Sequence, residues 1–109
     1  MVQSCPEPGL AILTAGKRDV SYDIEMPIPA LWCRRGLLVP EATPAGWTVS
    51  AMNDQHAYLR YPVHASLVPR VGDRVALGIS HPCTTFDKWR WMAVVDAAYD
   101  VVDAIVTCF

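Results

Sequence analysis

Long uninterrupted windows are scarce in this sequence. Nine prolines and six glycines cut its 109 residues into short pieces, and a stable helix wants roughly 10–12 residues without such breakers. That scarcity argues against a helical bundle. No apolar run reaches the ~18 residues of a membrane-spanning helix, and the first residues lack the charged-then-apolar pattern of a secretory signal. Clustered positive charge is missing as well. Lysine occurs only at Lys17 and Lys88, and the nearest basic cluster is Arg34-Arg35, which reads as a solvated turn. With a net charge of -2, nothing favours nucleic acid or an anionic membrane as partner. No Gly-rich phosphate loop precedes a helix. These absences predict a soluble, cytoplasmic protein.

Cysteine pairs are missing too. Cys5, Cys33, Cys83 and Cys108 lie far apart, without a CxxC and without secretory context, so no disulfide framework is expected. Three of them are expected as buried free thiols. Cys83 is the exception, because His81 stands two residues before it.

What is present is apolar and finely divided. The chain is 52% hydrophobic and 18% charged, a composition for one folded domain spanning residues 1–109. "GLAILTAG" (9–16), "WTVSAM" (47–52), "AYLRYP" (57–62), "RVALGIS" (74–80) and "WMAVV" (91–95) read as strands. "DVSYDIEM" (19–26) alternates most cleanly, with Val20, Tyr22, Ile24 and Met26 on one face and Asp19, Ser21, Asp23 and Glu25 on the other. "VVDAAYDVVDAIVT" (94–107) reads either as a helix, for its three alanines, or as two strands around "DAAYD", for its six valines and isoleucines; two strands are favoured. The predicted class is all-β, a small barrel- or sandwich-like domain of short antiparallel strands. "VQS" at the start reads as the tail of a strand, which suggests a piece of a larger protein.

The chemistry-bearing stretch is "GISHPCTTFDKWRW" (78–91). If a strand carried through Pro82, His81 and Cys83 would point to one face. Imidazole and thiolate are preferred zinc donors, and a site with few protein ligands keeps positions open for water or substrate. Pro82 places the pair at a sheet edge or beyond it. From spacing alone the signal is weak, because strong zinc signatures bring two such pairs. His56 and His64 are further donors whose placement the sequence does not give. Thr84, Thr85 and Asp87 read as turn residues, with Asp87 a secondary candidate for orienting His81. Trp89 and Trp91 read as core or interface residues.

The same stretch resembles the zinc-binding segment of D-serine dehydratase (D-serine deaminase-like) enzymes, related to D-threonine aldolase and sharing the alanine racemase fold. "PEPGLAILTAGKRDVSYDIEMP" (6–27), "MNDQHAYL" (52–59) and "VPRVGDRVALGISHPC" (68–83) are similar to further segments of that family, in the same order. Ser80 and Thr84-Thr85 depart from relatives that carry Asn before the histidine and Pro-Thr after the cysteine. The resemblance implies a carboxy-terminal domain in which His81 and Cys83 hold zinc and His56 lies near the mouth of the active site. It implies pyridoxal phosphate as second cofactor, carried by a preceding amino-terminal α/β barrel that these residues do not include, a D-amino-acid substrate such as D-serine, and a homodimer. The 109 residues alone are then expected to be inactive. Two rivals stand beside this reading: a D-threonine aldolase-like lyase domain, and a β-barrel binding module without catalysis.

Overall fold

Short apolar pieces between breakers become short strands. In chain order they are β1 (Val2–Glu7), β2 (Leu10–Leu13), β3 (Ile28–Cys33), β4 (Glu41–Ala42), β5 (Thr48–Met52), β6 (Ala57–Arg60), β7 (Arg74–Gly78), β8 (Trp91–Val95) and β9 (Val101–Val106), with one helical turn, α1 (Cys83–Phe86), before β8. The computed structural model describes residues 1–108. Every strand pairing is antiparallel, in sheets ordered β1-β2-β6-β5, β4-β3-β7 and β8-β9. The all-β class is as expected, but the sheets stay open and form no closed barrel among the described residues. No helix among those residues is long and apolar enough to cross a membrane.

The core lies on one face of the first sheet. Ala57 and Leu59 alternate inward from β6, opposite Leu13 and Ala11 of β2. On the other side β5 offers Val49 and Met52, three residues apart, where strict alternation would put them on opposite faces. A bulge between Val49 and Ala51 resolves this: Val49 pairs with Leu59 and Met52 with Ala57, so both face inward. Trp32 of β3, in the second sheet, and Trp47, just before β5, close the core, their rings 5.7 Å apart and tilted by 51°.

Two sequence expectations fail here. The segment 19–26 is no strand but an irregular connection of turn and bends; of its apolar residues only Val20 packs on the core, while Tyr22, Ile24 and Met26 are exposed. The strand entering "ISHPC" ends at Gly78, and Cys83 begins α1 rather than continuing a strand through Pro82. The thiols also differ from expectation. All four are free, but Cys33 alone is buried.

Arg34-Arg35 is a turn, as expected, but only partly a solvated one. Asp73, 0% exposed, draws in the Arg34 side chain and the Arg35 backbone N–H, while Arg35 itself stays exposed. Its Oδ2 accepts from Arg34 Nη1 at 2.7 Å and from the Arg70 backbone N–H at 2.9 Å, and its Oδ1 accepts from the Arg35 N–H at 3.1 Å. The Arg34 guanidinium also donates to Val68 O at 3.3 Å and lies 4.5 Å from the centre of the Trp32 ring. Gly72, at φ +92°, makes the turn into this position, where a side chain would be strained and would strike Arg35. The Asp73 carbonyl accepts from Val2 N at 2.7 Å, fastening β1 to the same point. Removing one partner of a buried pair strands the other and costs about 3–5 kcal/mol. Asp73→Ala is expected to lower the unfolding free energy by about that much in urea titrations. Glu7→Ala, which removes the exposed 3.1 Å pair with Arg60, is expected to cost less than about 1 kcal/mol.

Candidate metal centre

The antiparallel β3–β7 ladder decides what surrounds His81. Ile28 pairs with Gly78 at its end, so the chain entering β3 and the chain leaving β7 run side by side beyond it. Their contacts continue the antiparallel sense. Asp23 meets His81 and Thr84, Ser21 meets Thr85, and Asp19 meets Trp89. Asp23 makes its contacts through its carboxylate, Ser21 through its backbone N–H and Asp19 through its carbonyl, along a segment of turn and bends. The engaged residues of 19–26 are thus polar ones.

At the centre is a carboxylate–imidazole pair. Asp23 Oδ2 lies 2.7 Å from His81 Nδ1, and Asp23 Oδ1 accepts from Thr84 Oγ1 at 3.1 Å. The bond from His81, aided by Thr84, holds the Asp23 carboxyl below the usual carboxylate range. The His81 side chain remains 32% exposed, and Cys83 is exposed at the start of α1. Asp87, the carboxylate considered beside His81 from sequence, instead lies 3.9 Å from Lys88 Nζ. Lys88 is folded back as well, donating to Thr84 O at the end of the helical turn. The donor chemistry suits a zinc ion bound by few protein ligands. His81 is backed by a carboxylate, as metal-bound histidines commonly are, and an accessible thiol follows two residues later. No three His, Cys, Asp or Glu side chains converge on a metal-sized space among the described residues.

His56 occupies a different setting. It lies in the turn between β5 and β6, half-buried, with Nε2 3.1 Å from Gln3 Oε1. Lys17, Arg18, Asn53, Asp54 and Gln55 surround a polar hollow of about 570 Å³ beside it. Gly16 seats this corner: a Cβ there would strike the backbone of Asp54 and Gln55. The backbone N–H groups of Lys17 and Arg18 then reach Asn53 O and Asp54 O at 2.9 and 3.0 Å. His56 shares no hydrogen bond with His81, and the connection 16–23 joins their two settings. His64 is exposed and stands apart from both. Sequence reasoning missed Asp23; its only signal was membership of the polar side of an alternating segment.

The contact that keeps this connection against α1 is buried. Ser21 N–H donates to Thr85 Oγ1 at 2.8 Å, with Ser21 1% and Thr85 9% exposed. Thr85→Val keeps the shape and strands that N–H, at a cost of about 1–3 kcal/mol. Urea unfolding is expected to show this loss, and limited proteolysis to show faster cleavage within 17–26.

Among curated proteins none matches the chain. The family described as "Putative serine dehydratase domain" matches residues 1–95, a span that includes Asp23, His56, His81 and Cys83, and the chain belongs to that family.

Proposed function

We propose that this chain is the carboxy-terminal domain of a zinc- and pyridoxal-phosphate-dependent D-amino-acid dehydratase, in which His81 and Cys83 hold the metal. The observation that supports it most is the 2.7 Å Asp23–His81 pair, with the exposed Cys83 two residues further along the chain, inside a segment matched by the serine dehydratase family. The substrate class is a D-3-hydroxy amino acid such as D-serine, and the products are a keto acid and ammonia. Zinc held there would supply a Lewis acid for the departing hydroxyl, a poor leaving group unaided. Asp23 keeps the imidazole fixed, and the exposed thiol completes a two-residue hold that leaves room for a substrate oxygen. His56, across the connection 16–23, is proposed at the mouth of the site, where its neighbours Lys17 and Arg18 attract a carboxylate.

Pyridoxal phosphate does not fit the residues of this chain. Lys88 Nζ is engaged by Thr84 O and Lys17 Nζ lies 5.2 Å from the centre of the Tyr22 ring, so neither amine stands free in an enclosed site. The cofactor is assigned to an amino-terminal α/β barrel domain of the parent, in the cytoplasm, within a homodimer. The exposed row Tyr22, Ile24, Met26 and Ile28 and the exposed Val101, Val102 and Val106 of β9 support the expectation of such partners.

The protein expressed from its complete natural reading frame is expected to absorb in the visible as an aldimine and to contain zinc. His81→Ala and Cys83→Ala are expected to lose the metal and to lower kcat/KM for D-serine by about a thousandfold. That is the rate equivalent of the several kcal/mol a Lewis acid contributes. A colourless, zinc-free product would overturn the proposal. Formation of an aldehyde and glycine from a D-3-hydroxy amino acid would replace dehydration by the aldolase reading.

A further inference from the structure

We infer that Asp23 is the positioning residue of the metal centre: its carboxylate fixes the His81 ring with the proton on Nδ1 and presents Nε2 as the metal-binding nitrogen. The inference rests on the reading of His81 as a ligand and adds the group that orients it. An ionised carboxylate only accepts hydrogen bonds, so at 2.7 Å from Asp23 Oδ2 the Nδ1 atom must carry the proton. A neutral imidazole then has its lone pair on Nε2, the open nitrogen of a side chain that is 32% exposed.

Asp23 is itself held on both sides. Its other oxygen accepts from Thr84 Oγ1 at 3.1 Å. Two residues before it, Ser21 is pinned to Thr85, and four before it Asp19 O accepts from Trp89 Nε1 at 2.7 Å. Three successive cross-contacts fix the backbone on which the carboxylate stands, so the ring is aimed by a braced group rather than by a free surface side chain. Asp87, nearer in sequence, is turned toward Lys88 and does not serve.

The tautomer is the direct readout, and it needs neither metal nor activity. Long-range ¹H–¹⁵N correlation spectra of the chain labelled with ¹⁵N-histidine would be recorded without metal at about pH 8.5, above the ordinary imidazole range. His81 would be assigned with the variants His56→Asn and His64→Asn. The Nδ1–H pattern is expected for His81 in the parent chain and its replacement by the Nε2–H pattern in Asp23→Ala. Affinity for zinc alone, by competition with a chromophoric chelator, is expected to fall about 10- to 100-fold in that variant. An Nε2–H pattern in the parent, or an unchanged Nδ1–H pattern in Asp23→Ala, overturns the inference. Thr84→Val guards against a folding defect in Asp23→Ala: it removes only the hydroxyl that steadies the carboxylate and is expected to shift the tautomer partly the same way. If Asp23→Ala misfolds and Thr84→Val keeps the parent pattern, the inference also falls. Failure of zinc to bind the parent chain would overturn the metal reading, while the tautomer pattern separately decides the role of Asp23.

Discussion

A single buried carboxylate organises the second sheet. Asp73 has no water to solvate it, so its charge requires donors, and the fold brings three: the Arg34 guanidinium and the backbone N–H groups of Arg35 and Arg70. Meeting that requirement fixes the end of β3 against the start of β7, since Cys33 pairs with Arg74 one residue from each partner. The same residue's carbonyl receives the N–H of Val2, so β1 and with it the first sheet are referenced to this point. Arg34 has a further tie, its guanidinium lying over Trp32, which packs against Trp47 in the core. A charge pair and an aromatic pair thus share one side chain.

From that fixed end the ladder runs to Ile28 and Gly78, and the candidate centre is what hangs beyond it. Asp23 and His81 are 58 residues apart in sequence, yet no special device is needed to bring them together. Two chains leaving an antiparallel ladder stay neighbours for as long as side-chain contacts replace the backbone bonds. Here the side chains of Asp23, Thr85 and Trp89 supply those contacts in turn. The centre therefore inherits its precision from a rigid pair of strands, although its own residues lie in irregular structure.

The sequence made the regular pieces legible and hid the ones that depend on long-range charge. β2, β5, β6, β7 and β8 coincide with apolar runs, and the β8–β9 hairpin follows from its β-branched residues, with Tyr99 turning at φ 66°. β3 escaped because Pro27 and Pro29 read as breakers; the ladder tolerates Pro29 through an irregularity between it and Leu31. The segment 19–26 misled for a subtler reason. Alternation reports two different faces, not which one is inward, and here the partner is a polar turn rather than the core. Nothing in "VGD" marked Asp73, because two of its three donors, from Arg34 and Arg35, come from distant positions and only the Arg70 N–H is local. His81 and Cys83 were visible as a pair, whereas Asp23 becomes visible only once β3 and β7 are paired.

The two sides of the connection 19–26 are mechanically one. Asp23, which holds His81, is flanked by Tyr22 and Ile24, which are 39% and 67% exposed. One short backbone therefore carries both the support of the imidazole and exposed apolar side chains. That backbone is not part of any sheet, and it is held by hydrogen bonds to the 81–89 segment, the turn at Gly16 and the packing of Val20 on the core. Trp89 extends the linkage, since its indole reaches Asp19 O while its carbonyl accepts from Thr107 Oγ1 at the base of the β8–β9 hairpin. A two-stranded hairpin contributes little stability by itself. Its placement rests on this base and on its tip, where Ala98, Tyr99 and Asp100 border a hollow of about 360 Å³ beside Trp32 and Val75. A surface that covers Tyr22 and Ile24, or that displaces the hairpin, acts on the same short segment that aims His81. Rigidity at the centre and contact at the apolar surface are therefore not independent properties of this domain.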